Sequence, residues 1–346
     1  MCIRDSLWPA DAPAQFGQNN VQYREMEWAV LKTDHFEVYF REGLRGFAVD
    51  AGRMAERAYE RLSTILDHQV HDPIPLVLYG SQTEFQQTNL TPEFIGEGTG
   101  GFTEFAKRRV ALPMTGSYSD FDHVLTHELT HAFQLDILSG GGDRSLLSPG
   151  AYSPPLWFTE GMAEYLSIGR VDALTEMWLR DGALQGYLTS VDALERVYDI
   201  RIYRYGQALV AYLGATYGDE SIGRIMKRLP HYRSLGRTLE EVVGLTLKKF
   251  SEDWTEAMRK QYLPQIRDHQ KPDDFAFRLT DAGDDLSDLN VTPAISPDGL
   301  FLAYFSDRSL YNDLYVASAL TGAIQRRLVK NERQADFESL RFFRSA

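Results

Sequence analysis

The sequence predicts an α+β protein that continues into a separate β-rich segment. Strand-like patterns occupy its first third, and helical patterns then run almost without a break to about residue 265. Strands first and helices afterwards are typical of the α+β class. A polar stretch at 267–288 then separates these elements from a segment of short alternating strands.

The N-terminal strands are predicted from alternation and from short apolar runs. Residues 27–40 alternate apolar and polar side chains, and 74–79 form an apolar run. Between them, apolar residues at helical spacing predict a helix at 46–68. A polar helical turn follows at 82–89, and glycines then lead into a further strand at 102–114.

The helical part begins with a helix at 119–138 and continues after a loop at 139–153 that is rich in Ser and Gly. Further helices are predicted at 156–168, 172–184, 203–217, 219–229 and 238–265. The predicted organisation is a disordered or non-native leader at 1–20, a domain at 21–266, a linker at 267–288 and a C-terminal segment at 289–346.

Composition restricts the possible partners. The formal charge is −13 over 346 residues, which argues against nucleic acid and anionic membrane surfaces, since both require a basic surface. No run of about 18 apolar residues is present, so we expect no transmembrane segment. With Cys2 as the single cysteine, neither an internal disulfide nor a thiolate zinc cluster can form. Residues 1–6 lack the features of a secretory signal peptide.

The helix at 119–138 contains the sequence HELTH, in which His127 and His131 are four residues apart. Four residues of an α-helix advance about 400°, so the two imidazoles lie on one face, one turn apart, and can reach one metal ion. Glu128 lies beside this face, where it can meet a water molecule near the metal. The alternative is a histidine-rich helix face with an adjacent carboxylate.

A second motif, WFTEGMAEY at 157–165, favours the metal site. A catalytic zinc ion needs a third protein ligand and an open fourth position. Glu160 offers a carboxylate on a second helix, and the 28 residues between His131 and Glu160 are enough to bring the helices together.

Together these motifs resemble the gluzincin branch of zinc peptidases, in particular the bacterial peptidase-MA-like families. The resemblance covers about residues 119–260 and extends through YGQALVAYL at 205–213. It implies a zincin-like domain, one Zn²⁺ ion held by His127, His131 and Glu160, and a peptide or protein substrate. The metzincin branch would require glycine and histidine where this chain has Gln134 and Ile137.

Several neighbouring residues are candidates for supporting roles. Glu164 lies one turn after Glu160 and could accept a hydrogen bond from a ligand imidazole. His123 lies one turn before His127, which allows either a supporting role or a site with three histidines. Asp136 could serve as a further partner or lie on the surface.

An oxyanion formed during peptide hydrolysis needs a hydrogen-bond donor. Tyr203 and Tyr205 are the candidates, and the family pattern favours Tyr205, although either ring could simply pack under the start of its helix. The stretch at 100–112 precedes the histidine helix and alternates, so it is the candidate for an edge strand that binds extended substrate.

The C-terminal segment contains SPDG at 296–299, SDR at 306–308 and DLYV at 313–316. These stretches resemble one blade of the TolB-like β-propellers, and a second blade is expected to start at Phe337. Since such repeats need neighbours to bury their faces, we expect this chain to be part of a longer protein. The resemblance also implies an extracytoplasmic location, in the periplasm or at the cell surface, and a propeller that binds another protein.

The sequence therefore predicts zinc-dependent peptide-bond hydrolysis with Glu128 as general base on a zinc-bound water. We expect an endopeptidase, because no motif that anchors an N-terminal amine is recognisable at 96–114. One alternative is a catalytically silent zinc-binding module that acts with its propeller as an interaction module. Another is a propeller-based scaffold of the cell envelope in which the peptidase-like domain is secondary.

Overall fold

A computed structural model describes residues 27–91, 95, 98–104, 107–140, 152–267, 269–270, 272–280, 289–309 and 312–330. The chain divides into two compact units, residues 1–267 and 268–346, and its fold is mixed α+β. The predicted leader at 1–20, most of the loop at 139–153 and the second propeller blade lie outside the described residues.

The first unit contains a five-stranded mixed sheet. Its strands are β1 (Trp28–Lys32), β2 (Phe36–Arg41), β3 (Ile74–Tyr79), β4 (Phe102–Glu104) and β5 (Arg109–Pro113), in the order β1-β2-β3-β5-β4. The three central strands are parallel, and each edge strand is antiparallel to its neighbour. Strands β3 and β5 are almost fully buried, as their continuous apolar sequences predict. Strand β4 forms one edge of the sheet.

The prediction of a single strand at 102–114 is wrong, because the structure has two strands there. Strands β4 and β5 pair as an antiparallel hairpin, with Phe102 opposite Ala111 and Glu104 opposite Arg109. Arg108 lies in the connection and has a φ of 53°, in the left-handed region. The alternation in sequence continues across the hairpin, and for this reason it does not mark the turn.

The helices of the first unit are α1 (Arg45–Leu66), α2 (Gln82–Phe85), α3 (Tyr118–Ser139), α4 (Leu156–Ile168), α5 (Ala173–Gln185), α6 (Val191–Leu194), α7 (Arg201–Tyr217), α8 (Glu220–Tyr232), α9 (Leu235–Val243) and α10 (Leu247–Ile266). The helix predicted at 238–265 is two helices. Gly244 ends α9 with a φ of 78°, and its N–H donates to the carbonyl of Glu240. Thr246 then caps α10.

The core of the first unit lies where α1 and α3 pack against the sheet and where the later helices pack on α3. Helix α1 contacts β2, and α3 contacts β4 and β5. Helix α4 packs against α3 on one side and against α7 on the other. Among the fully buried large side chains are Phe36, Phe121, Phe133, Phe158 and Trp254. Helix α3 therefore packs against other helices and the sheet along most of its length.

Helices α4 and α7 approach each other unusually closely at two glycines. A Cβ added to Gly161 would fall far inside contact distance of the backbone of Gly206, and one added to Gly206 would overlap the carbonyl oxygen of Trp157. The glycine that follows Glu160 is thus required by backbone contact between two helices.

The second unit contains a four-stranded antiparallel sheet and a 3-10 turn at Pro272–Asp274. Its strands, β6 (Asn290–Ile295), β7 (Phe301–Ser306), β8 (Asp313–Ser318) and β9 (Ile324–Val329), neighbour one another in sequence order. Tyr304, Tyr315 and Ala317 form its small core. Asp313 is fully buried and forms an ion pair with Arg327.

Within the part of the chain that the structure describes, no helix is long and apolar enough to cross a membrane.

Candidate metal centre

The candidate centre lies between α3 and α4. Ser117 caps the start of α3 by accepting a hydrogen bond from the N–H of Asp120, and Gly140 ends the helix in the left-handed conformation. Helix α4 starts directly after Pro155, which has no N–H that an earlier turn would have to satisfy. The structure brings His127 and His131 on α3 together with Glu160 on α4.

Three potential ligand atoms form a nearly equilateral triangle. The Nε2 atoms of His127 and His131 lie 3.2 Å apart. The Oε2 atom of Glu160 lies 3.2 Å from Nε2 of His127 and 3.3 Å from Nε2 of His131. With zinc–ligand bonds of about 2.0–2.2 Å, neighbouring ligand atoms of a tetrahedral site lie about 3.3–3.6 Å apart. The three residues therefore fit a tetrahedral metal ion.

The ring of His131 is held from behind by Gln134. Nδ1 of His131 lies 2.9 Å from Oε1 of Gln134, while the amide Nε2 of Gln134 donates to the carbonyl of Thr159 at 2.9 Å. Because the amide nitrogen is engaged by a carbonyl, the amide oxygen faces the imidazole and accepts its Nδ1 proton. The Nε2 lone pair of His131 is then available to a metal.

The ring of His127 is held in the same way by Glu164. Nδ1 of His127 lies 3.1 Å from Oε1 of Glu164. The other carboxylate oxygen of Glu164 accepts from the buried guanidinium of Arg204 at 3.2 Å, and Arg204 also contacts Asp172 at 3.4 Å. The negative charge of Glu164 is therefore balanced by Arg204. By binding Nδ1 of His127, Glu164 directs the Nε2 atom of that ring towards Glu160.

The electrostatics of the centre favour a positive charge. Burial lowers the pKa of His127, but hydrogen bonds to Glu160 and Glu164 and nearby negative charge raise it overall to about 10. The pKa of His131 is also raised, because its contact with Glu160 outweighs its burial. Burial opposes ionisation of Glu160, yet its contacts with both histidines hold its pKa far below the usual range.

Glu128 lies at the boundary between α3 and the edge strand β4. Thr103 of β4 donates from Oγ1 to Oε2 of Glu128 at 2.7 Å, and the same hydroxyl contacts the backbone carbonyl of Glu128 at 2.8 Å. A Cβ added to Gly101 would lie 3.1 Å from Cγ of Glu128 and would overlap Leu112. Gly101 thus allows the strand to approach the helix, and the carboxylate of Glu128 is fixed beside the cavity.

The structure brings Tyr203 to the centre and does not bring Tyr205. The ring of Tyr203 lines the cavity and stacks near His127, with 6.3 Å between ring centroids. Tyr205 is fully buried, and its hydroxyl lies 3.5 Å from the carbonyl of Trp178. Two residues of a helix are about 200° apart, so the tyrosines of α7 face opposite sides. The family pattern favours Tyr205, whereas the geometry places Tyr203 beside the ligands.

Burial and the negative charges of Glu160, Glu128 and Glu164 raise the pKa of Tyr203 to about 12. At neutral pH the Tyr203 hydroxyl therefore keeps its proton and can donate a hydrogen bond.

A second group of residues could also hold a metal ion: His123, His127 and Glu164. Nε2 of His123 lies 3.3 Å from Oε1 of Glu164. Glu164 is already paired with Arg204, however, and neither His123 nor Glu164 lines the cavity.

Asp136, the further candidate partner, lies away from both groups. It is buried, contacts His68 at 2.7 Å and pairs with Arg108.

The centre opens into a cavity of about 580 Å³. Its described lining combines the polar residues His127, Glu128, His131 and Glu160 with further polar side chains and with apolar ones, among them Phe102, Leu135, Leu138 and Leu156. Its volume lies within the range of about 300–1,000 Å³ that is typical of ligand pockets.

Three residues of the site were not predicted from the sequence: Gln134, Thr103 and Arg204. Gln134 could have been found, since it lies one turn after His131 on the same helix. Nothing in the sequence identifies Arg204, whose partners lie 40 and 32 residues away. No protein-family model matches the chain, and no curated protein matches it.

Proposed function

We propose that this chain is a zinc-dependent peptidase of the gluzincin type. The observation that carries the proposal is the triangle formed by His127, His131 and Glu160 inside a cavity that also exposes the carboxylate of Glu128. Two imidazoles and one carboxylate are a typical ligand set of catalytic zinc. A purely structural zinc site would have no use for a base at this position.

Zinc held by these three residues would lower the pKa of a water molecule to about 7 and polarise a substrate carbonyl. Glu128 would take a proton from the attacking water and deliver it to the leaving amine. Thr103 would orient that carboxylate through its 2.7 Å hydrogen bond. The hydroxyl of Tyr203 would donate to the oxyanion, while Glu164 and Gln134 keep the two imidazoles in position.

The decisive variant is Glu128→Gln. It keeps the size of the side chain and a hydrogen-bond acceptor for Thr103 but removes the base. We expect unchanged zinc content by elemental analysis and a fall in kcat/KM on a peptide library of about 10²–10⁴-fold. Retained hydrolysis would remove Glu128 from the proposed role. In contrast, Glu160→Ala should lose zinc, and unchanged zinc content would place the third ligand elsewhere.

The same assay tests the alternative, a catalytically silent zinc-binding module. Hydrolysis that a chelator abolishes and added zinc restores supports the peptidase. Zinc binding without cleavage of any library member supports the module.

The proposal also includes the fold of the two units and the location of the protein. A mixed sheet followed by helices, with both ligand motifs on adjacent helices, is compatible with a zincin-like domain at 21–266. The four-stranded antiparallel sheet of the second unit has the strand order of a single propeller blade and supports the TolB-like interpretation of 289–346. We propose an extracytoplasmic location on that resemblance, with the propeller binding another protein; fractionation of cells that express the full-length protein tests the location.

A further inference from the structure

A second cavity of about 530 Å³ lies beside the cavity of the metal centre. Tyr152, Ser153 and Leu156 line both cavities, so the two meet at the segment that leads into α4. Leu156 is one helical turn before Glu160 and is about half exposed. The metal centre and the second cavity therefore share a wall.

Eight of the thirteen described residues that line the second cavity are apolar or aromatic. Leu194, Val197, Leu235 and Leu247 contribute aliphatic side chains, and the ring of Tyr198, which is 80% exposed, lies at its edge. Its charged lining residues among those described are Glu195 and Arg233, which have opposite signs. The aliphatic and aromatic part of this lining, beside charges of opposite sign, favours an apolar guest over a charged one.

Neither end of a polypeptide finds a dedicated partner in the first cavity. Among its described lining residues there is no Lys or Arg that would bind a terminal carboxylate. The described carboxylates of that lining are Glu128 and Glu160, and both already have roles in the proposed reaction. A peptide would consequently be held by its backbone and its side chains.

Resting on the proposed peptidase function, we infer that the second cavity is a specificity subsite. It receives a large apolar or aromatic side chain of an extended peptide, at a distance from the bond that is cleaved. The substrate class is thus an internal, unfolded segment of a polypeptide with an apolar residue at one fixed position. The wall of Tyr152, Ser153 and Leu156 that the two cavities share is the observation that carries the inference.

The test uses the zinc-loaded full-length chain and internally quenched ten-residue peptides. After mass spectrometry has located the cleaved bond, Phe is compared with Ser at each position in turn. We expect one position, not adjacent to the cleaved bond, at which Phe raises kcat/KM about tenfold, because burial of an aromatic side chain is worth at least that much. Equal rates for Phe and Ser at every such position would overturn the inference.

The variant Gly236→Leu assigns this position to the second cavity. Gly236 lines the cavity, and a Cβ there would lie 3.8 Å from Cβ of Leu247, so there is room for a side chain that narrows the space. Leucine is also a better helix former than glycine. The preference for Phe over Ser should fall to near unity in this variant; a preserved tenfold preference would contradict the assignment.

A matched control is Gly46→Leu. Gly46 is the second residue of α1, as Gly236 is of α9, and a Cβ there would meet nothing within 4 Å. This control should retain the tenfold preference.

A binding measurement separates failure of this inference from failure of the proposed function. Fluorescein-labelled Phe and Ser peptides are titrated with zinc-loaded Glu128→Gln protein, with and without Gly236→Leu. If the wild-type chain cleaves nothing but the Phe peptide binds about tenfold more tightly and Gly236→Leu removes the difference, the subsite stands and the peptidase proposal fails. If the wild-type chain cleaves peptides but shows no preference for Phe over Ser, the peptidase proposal stands and the subsite inference fails.

Discussion

At the residue scale, the site depends on the two sides of one imidazole. Nε2 of His127 faces Glu160, and Nδ1 faces Glu164, which is one turn further along α4. Among the described residues, Glu164 is also paired with Arg204, whereas the ion pairs of Glu160 are those with His127 and His131. The charge of Glu164 is therefore balanced within the protein. The charge of Glu160 is available to a metal.

Gln134 provides a test of how the imidazoles are oriented. The variant Gln134→Leu removes the acceptor for Nδ1 of His131 and leaves the rest of the ligand set in place. We expect zinc affinity to fall about 10–100-fold, as is usual when an outer partner of a ligand histidine is lost. Competition with a chromophoric chelator measures this change.

The control for this variant is Gln185→Leu, at the exposed end of α5. It should leave zinc affinity unchanged. If Gln134→Leu also binds zinc like the unmodified chain, the orienting role of Gln134 is wrong.

At the scale of elements, the contact between Gly161 and Gly206 fixes the spacing of α4 and α7. These helices supply Glu160 and Tyr203, so any separation of the two backbones moves a ligand and the proposed oxyanion donor apart. Substitution by any larger residue has to displace backbone, because no flexible side chain is there to give way.

Gly161→Ala should consequently lower both stability and zinc affinity. Overpacking of this kind costs about 1–3 kcal/mol, and backbone overlap places this site at the upper end, about 3 kcal/mol. Urea unfolding of the zinc-free chain gives the stability change. Gly46→Ala is the control: with open space around it, alanine should be neutral or slightly stabilising. A Gly161→Ala chain as stable as the control would show that the helices can separate without cost.

The elements also show what a sequence can predict about this protein. Helical spacing predicts that His127 and His131 share a face, and the resemblance carried by the HELTH and EGMAEY motifs makes Glu160 the candidate third ligand. The backbone contact of Gly161 with Gly206 has no such signal, because it depends on how two helices cross. The choice between Tyr203 and Tyr205 is similar: their spacing places them on opposite faces, but only the packing of α7 shows which face meets the centre.

Helix ends and turns were predicted less well, for a local reason. The division of 238–265 into α9 and α10 depends on the left-handed conformation of Gly244, and glycine tolerates several conformations. The hairpin of β4 and β5 was missed because a turn at Arg108 interrupts an alternation that looks continuous. Neither feature changes which residues reach the metal centre.

At the scale of the whole molecule, the chain comprises two units, and the candidate centre belongs to the first. All five tryptophans of the sequence precede residue 267, so tryptophan fluorescence reports on that unit alone. The optical signal can thus follow metal binding without a contribution from the second unit.

We expect zinc to raise the thermal transition seen by tryptophan fluorescence. At a free zinc concentration 100-fold above Kd, binding adds about 2.7 kcal/mol to the stability of the folded state. For a unit of this size that corresponds to roughly 5–10 °C. Glu160→Ala lacks a ligand, so its transition should not move. An equal shift in both proteins would mean that zinc acts away from the triangle of His127, His131 and Glu160.

The segment at 152–156 allows the proposed reaction and the proposed choice of peptide to depend on different residues. The proposed reaction depends on side chains of α3 and α4, which are held by helix packing, whereas the shared wall comes from residues that lead into α4. Under the proposed function, exchange of this wall together with the residues around Tyr198 would change the peptide preference and leave the candidate ligands His127, His131 and Glu160 in place. If the proposed peptidase function holds, replacement of this short segment should change which peptides are cleaved.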